Sequence, residues 1–139
     1  MTDIDWGALR AAARDAATRS YSPYSHYPVG AAALTDTGNI VTGANVENAS
    51  YGLTLCAECA LVSKLHTDAL GTRLVAFACV DAAGAPLQPC GRCRQLLYEF
   101  GGDELLIDGP EGTLTMKDIL PWAFGPAHLE DHTHQEDNK

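Results

Sequence analysis

Two cysteine pairs, Cys56-x-x-Cys59 and Cys90-x-x-Cys93, constrain this 139-residue chain more than any other feature. Thiols at that spacing point to a shared metal, zinc before any other, so the fold has to bring one pair beside the other. The 30 residues between the pairs are not a compact knuckle. They carry on the helix-like run "LCAECALVSKLHTDAL", apolar at Leu55, Ala60, Leu61, Val62 and Leu65, and then "TRLVAFACV", the clearest buried strand in the chain. A whole helix and strand fold away between the two half-sites.

Spacing leaves two readings open. In one, all four cysteines close a structural zinc site that does no chemistry. In the other, three cysteines hold zinc with water in the fourth position, and Glu58 is the base that manages the water's protons. The gap between the pairs exceeds the roughly 15–20 residues of a compact zinc ribbon, and the strings "CAE" and "PCGRC" each open a helix, which weighs toward the second. Helix starts present unpaired N–H groups and about half a positive charge, and only a thiolate binds metal. The fifth cysteine, Cys79, sits inside the strand-like run and reads as a small buried hydrophobe.

Composition narrows the class. Hydrophobic residues make up 46% and charged residues 19%, an ordinary globular balance for one domain that buries roughly two-thirds of its unfolded surface. The odd cysteine count and the N-terminus "MTDIDWGALR", with neither a basic start nor a hydrophobic run, argue against a disulfide framework and a signal peptide, so a cytoplasmic home is expected. No stretch is apolar for long enough to span a membrane. The formal charge is −9; Glu130, Asp131, Glu136 and Asp137 against Lys139 put −3 of that in the tail and leave −6 for the body. A negative body repels phosphate backbones, which disfavours nucleic acid or an anionic membrane as partner.

Along the chain, "DWGALRAAARDAATRS" predicts a helix with Asp3 or Asp5 as N-cap, and "YSPYSHYP" a loop. "VGAAALTDTGNIVTGANV" predicts two strands around a turn at "TDTGN". After the second helix and the buried strand come "CGRCRQLLYEF", a third helix closed by Gly101-Gly102, the strand "ELLID" and a possible short strand "GTLTM". "KDILPWAFGP" predicts a terminal turn or short helix broken by Pro121 and Pro126. The expected class is α/β: a three-layer α/β/α domain with a mixed, roughly five-stranded sheet, over residues 1–128, with 129–139 a polar, disordered tail whose His132 and His134 join His128. His26 falls in the Tyr-rich loop, and His66 on the second helix has no evident partner.

"CAE" followed by "PCGRCRQ" resembles the zinc-dependent cytidine deaminase family, marked by His or Cys, one residue, Glu, then Pro-Cys-x-x-Cys. "YSPYSHYPVGAAAL", "GANVENASYG" and "ILPWAFGPAHL" are similar to family segments in the same order, so the likeness runs from about Tyr21 to Leu129. Cys at position 56 resembles the small homotetrameric branch. The resemblance implies one zinc per subunit on Cys56, Cys90 and Cys93, and hydrolysis of cytidine and deoxycytidine to uridine and deoxyuridine plus ammonia, in pyrimidine salvage. A zinc-bound hydroxide would attack while Glu58 shuttles protons. It further implies that Asn45 and Glu47 bind the ribose hydroxyls, that Tyr27 lines the pocket, and that the Ala57 N–H meets the pyrimidine carbonyl. Ala49, Tyr51 and Phe124 match residues that neighbouring subunits supply.

One position departs from the family. An arginine usually follows the catalytic glutamate and hydrogen-bonds the thiolates; here it is Cys59. Three thiolates on one zinc leave net negative charge, so the two helix starts, with Arg92 or Arg94 behind the thiolates, are expected to compensate, and Cys59 to point away from the metal. Two rival readings are a blasticidin-S-type deaminase, which shares "CAE" and a similar "PCGxCRQ" string, and a non-catalytic four-cysteine zinc protein. Asn45 and Glu47 favour the plain nucleoside.

Overall fold

The structure, a computed structural model, describes residues 3–130. Helix α1 (Trp6–Ala17) starts where Asp5 accepts a hydrogen bond from the Ala8 N–H, satisfying one of the unpaired donors of its first turn. It is followed by β1 (Val29–Thr35), β2 (Ile40–Ala44), a single 3-10 turn at Tyr51–Leu53 and α2 (Ala57–Thr67). Then come β3 (Leu74–Asp81), α3 (Gly91–Gly101), β4 (Leu106–Gly109), β5 (Gly112–Thr115) and α4 (Met116–Ile119), where Thr115 and Asp118 form a reciprocal capping box.

The five strands make one mixed sheet in the order β2-β1-β3-β4-β5. Only β3 and β4 run parallel; the other three pairings are antiparallel. Alternation along the central strands explains the layers. Ala32 of β1 and Ala76, Ala78 and Val80 of β3 face α1, meeting Leu9 and Ala13. Ala31 and Ala33 with Phe77 and Cys79 face the other way, onto Leu61 and Leu65 of α2, Leu97 of α3 and Met116 of α4. Both faces of β1 and β3 are therefore apolar and covered, and the three-layer, five-stranded expectation holds. Arg10 ties α1 to the sheet by a bidentate pair, 2.7 and 2.8 Å, to the buried carboxylate of Asp108 in β4.

Close approach depends on two glycines. A Cβ on Gly30 would overlap the carbonyl oxygen of Ala13, so α1 lies directly on β1. A Cβ on Gly43 would overlap the carbonyl oxygen of Ala57 and stand 2.6 Å from the backbone nitrogen of Leu61. The start of α2 is thus pressed against β2 without an intervening side chain.

Residues 126–130 are helical, so the ordered backbone runs past Pro126, a residue whose fixed φ suits a first helical position. The tail expected at 129–139 overlaps this turn at positions 129 and 130, and 131–139, with His132 and His134, lie outside the described residues. No described helix is long and apolar enough to cross a membrane.

Candidate active site

The chemistry-bearing residues gather where α2 and α3 begin. Cys56 is the N-cap of α2 and Cys90 the N-cap of α3, both with extended backbone, and Cys93 lies in the first turn of α3. The three sulfur atoms all lie within 4.8 Å of one another. Cys59 is outside this group, so the structure brings together three of the four paired cysteines.

The donor set suits a soft divalent cation. Burial pushes the Cys56 thiol up, with Glu58, Cys90 and Cys59 adding to it. Burial pushes Cys93 up as well, reinforced by the Glu58 carboxylate. Cys90 moves the other way, lowered first by the Cys93 backbone N–H that donates to it and also by the N–H of Arg92. Those donors are the unpaired amides of the α3 start. A helix start favours the thiolate at Cys90, while burial opposes it at Cys56 and Cys93, where a bound cation would offset that cost. Three thiols so placed fit zinc with one coordination position left over.

Glu58, in the first turn of α2, is only 4% exposed. Burial first and the nearby Glu58 carboxylate second push the Cys93 and Cys79 thiols up. Glu58 borders a cleft of about 300 Å³ that is also lined by Tyr27, Asn45, Cys56, Ala57 and Cys90. Ala57 occupies the first helical position, where the backbone N–H has no partner within the helix. Asn45 is nearly buried: its Oδ1 accepts from the Val29 N–H at 2.9 Å and its Nδ2 donates to the Tyr27 carbonyl at 3.0 Å.

Glu47 stands apart from this group. It lines an adjoining hollow of about 220 Å³ with Tyr24, Ser25, Asn48 and Tyr51, and Thr54 is the residue shared with the cleft. Its Oε1 accepts from the backbone N–H groups of Tyr24 at 3.0 Å and Ser25 at 3.1 Å. Hydrogen bonds from Ser25 and Tyr24 hold the carboxyl below its usual range, so it is a carboxylate at neutral pH.

The remaining expected residues are more scattered. Ala49 and Tyr51 lie on an exposed stretch, Tyr51 at 77% exposure. Phe124 is 59% exposed, its ring stacked on His128 at 5.0 Å and its carbonyl accepting from Gln95 Nε2. Arg92 is exposed. Arg94 donates from Nε to the Pro89 carbonyl at 2.8 Å and from its guanidinium to Ile119 at 2.9 Å, which ties down the peptide leading into Cys90. His66 does have a neighbour, the ring of Phe100 at 4.9 Å.

Five cleft residues escaped the sequence reading: Val29, Thr54, Cys79, Leu87 and Gln88. Cys79 is buried as expected, yet it also borders the cleft and donates to the Leu87 carbonyl at 3.1 Å. A positional signal existed, since Cys79 nears the C-terminal end of β3, where clefts of open α/β sheets gather. Nothing local marks the other four.

Comparison with known proteins agrees with this geometry. Residues 7–107 match the family model described as the cytidine and deoxycytidylate deaminase zinc-binding region. A cytidine deaminase of Mycobacterium tuberculosis is 60% identical over 125 residues, covering 90% of this chain and 93% of the relative. The crystal structure of cytidine deaminase from that organism superposes with a TM-score of 0.86 at 60% identity, over 89% of this chain and all of the other. A cytidine deaminase structure from Burkholderia pseudomallei matches with a TM-score of 0.76 at 39% identity, over 87% of this chain. A family match across most of the domain, a sheet that superposes and a three-thiol cluster beside a buried glutamate lead to one conclusion: the chain belongs to the zinc-dependent cytidine and deoxycytidylate deaminase family.

Proposed function

We propose that the protein hydrolyses cytidine and deoxycytidine to uridine and deoxyuridine with release of ammonia, serving pyrimidine salvage in the cytoplasm. The observation that carries this reading is the meeting of three thiols with buried Glu58 at the wall of a cleft also lined by Asn45. Cys56, Cys90 and Cys93 would hold one zinc ion per subunit, and zinc bound there supplies the Lewis acid that lets water act as a nucleophile near neutral pH.

The chain's own groups do the rest. Glu58 takes a proton from the attacking water and delivers it to N3 of the pyrimidine as the oxygen adds to C4. It then takes the remaining proton from the oxygen added at C4 and passes it to the amino nitrogen; the C4–N bond breaks, ammonia leaves and the C4 carbonyl of the uracil ring forms. One carboxylate serves both steps because burial keeps competing water from it. The N–H of Ala57 meets the pyrimidine carbonyl, Tyr27 lines the base and sugar pocket, and Asn45 and Glu47 take the sugar hydroxyls. A fixed carboxylate at Glu47 opposes a phosphate nearby, so a free nucleoside suits the site better than a nucleotide. Arg94 steadies the thiol end through the Pro89 carbonyl, while exposed Arg92 and Cys59, outside the thiol group, would act on the thiolates only from a distance.

The assembly is read as a homotetramer with shared sites. Tyr51, Leu53, Trp122 and Phe124 are large, apolar and exposed in the single chain, which suits a surface covered by further copies. Ala49, Tyr51 and Phe124 then complete a neighbour's cleft. Light scattering on the purified protein is expected to give the mass of four 14.8 kDa chains.

Ammonia release from cytidine, deoxycytidine, CMP and free cytosine, measured side by side, tests the activity. The two nucleosides are expected to turn over and CMP and cytosine to lag far behind. A zinc-loaded protein inactive on both nucleosides would overturn the reading.

A further inference from the structure

The sugar side of the cleft is backed by a segment that takes no part in the chemistry. Tyr21 and Val46 form an isolated parallel bridge: the Tyr21 N–H donates to the Asn45 carbonyl at 3.0 Å and the Glu47 N–H to the Tyr21 carbonyl at 2.8 Å. That pairing lays Ser20 beside Asn45. The Ser20 hydroxyl donates to Asn45 Oδ1 at 2.5 Å, alongside the Val29 N–H that donates to the same oxygen at 2.9 Å. Asn45 Nδ2 gives one of its protons to the Tyr27 carbonyl.

A primary amide offers two lone pairs on oxygen and two N–H protons. In Asn45 the protein already uses both lone pairs and one proton. A single N–H is left for the cleft that Asn45 lines. We infer that Ser20 is a positioning residue of the sugar subsite, fixing the Asn45 amide so that a donor is offered to the cleft there, while Glu47 offers an acceptor from the adjoining hollow. The Glu47 side of the arrangement has its own backing in the Tyr24 and Ser25 N–H groups. One stretch, residues 20–25, therefore helps to hold both partners. A hydroxyl next to such a pair has its oxygen met at Asn45 and its proton met at Glu47. This inference rests on the reading of Asn45 and Glu47 as sugar-hydroxyl partners.

The test uses the zinc-loaded full chain, with S20A, S20T and N45A compared on cytidine and on 2′,3′-dideoxycytidine. Loss of one hydrogen bond to a neutral group predicts a rise of about three- to tenfold in KM for cytidine in S20A, with kcat within about twofold. S20T, which keeps the hydroxyl, is expected to restore the wild-type KM, and S20A is expected to match wild type on the dideoxy substrate. A melting temperature for each variant separates folding from binding. If S20A leaves KM for cytidine unchanged, raises it equally on both substrates, or is not rescued by S20T, the inference falls. If in that case N45A still loses its effect on the dideoxy substrate, the sugar reading survives alone. If N45A weakens both substrates equally, the sugar reading falls and takes the inference with it.

Discussion

The two ends of the cleft are built on different principles. The thiol end rests on secondary structure: Cys56 and Cys90 cap two helices, and Glu58 and Cys93 occupy their first turns, directly above the core made by Leu61, Leu65 and Leu97. The sugar end rests on irregular backbone, where Asn45 and Glu47 are held by hydrogen bonds to Ser20, Tyr24, Ser25 and Val29. Rigid packing places the groups that move protons, and a network of individually modest hydrogen bonds places the groups that recognise. Damage at the first end should therefore abolish chemistry, and damage at the second should weaken binding.

The sharpest break comes from the thiols. Cys90→Ala is expected to lower zinc below one equivalent per subunit by elemental analysis and to cut kcat/KM more than about a thousandfold, since metal activation is worth several kcal/mol. Glu58→Gln should keep zinc and melting temperature while kcat falls by about 10²–10⁴, measured by ammonia release. Full activity in that variant would place the proton chemistry elsewhere. Glu47→Ala tests the other end: KM for cytidine is expected to rise about 10- to 100-fold with kcat little changed, the worth of hydrogen bonds to a charged group. A fall in kcat equal to the fall in kcat/KM would erase the contrast between the ends. Cys59→Ser should have the smallest effect, with zinc stoichiometry retained and turnover within about threefold; loss of zinc would restore a fourth cysteine ligand.

The same division governs what could be read in the sequence. The thiol end was legible because its residues sit at helix starts, and helix starts are announced locally by Cys-Ala-Glu and Pro-Cys-Gly-Arg-Cys before apolar helical runs. Cys79 was half legible: its burial follows from an apolar strand, but its place beside Glu58 depends on which strand packs under α2. At the sugar end, the tie from Ser20 to Asn45 crosses 25 residues and exists only because Tyr21 and Val46 pair in parallel, a register that no local pattern records. The strand order is of the same kind. Two strands around "TDTGN" announce a hairpin, whereas the placement of β1 between β2 and β3, and of β4 parallel to β3, comes from how α1 and α2 cover opposite faces. The helical turn at 126–130 is hidden for a third reason: a proline such as Pro126 ends a helix as readily as it starts one.

Gly43 connects the scaffold to the thiol end. Its missing side chain lets the first turn of α2 lie against β2, with the Ala57 carbonyl and the Leu61 nitrogen in the space a methyl group would need. Any larger residue there would act as a wedge under the helix that carries Cys56 and Glu58. Position 43 belongs neither to the thiol group nor to the cleft lining, yet in a random mutagenesis screen scored on activity its replacements are expected to resemble lesions in the catalytic residues themselves.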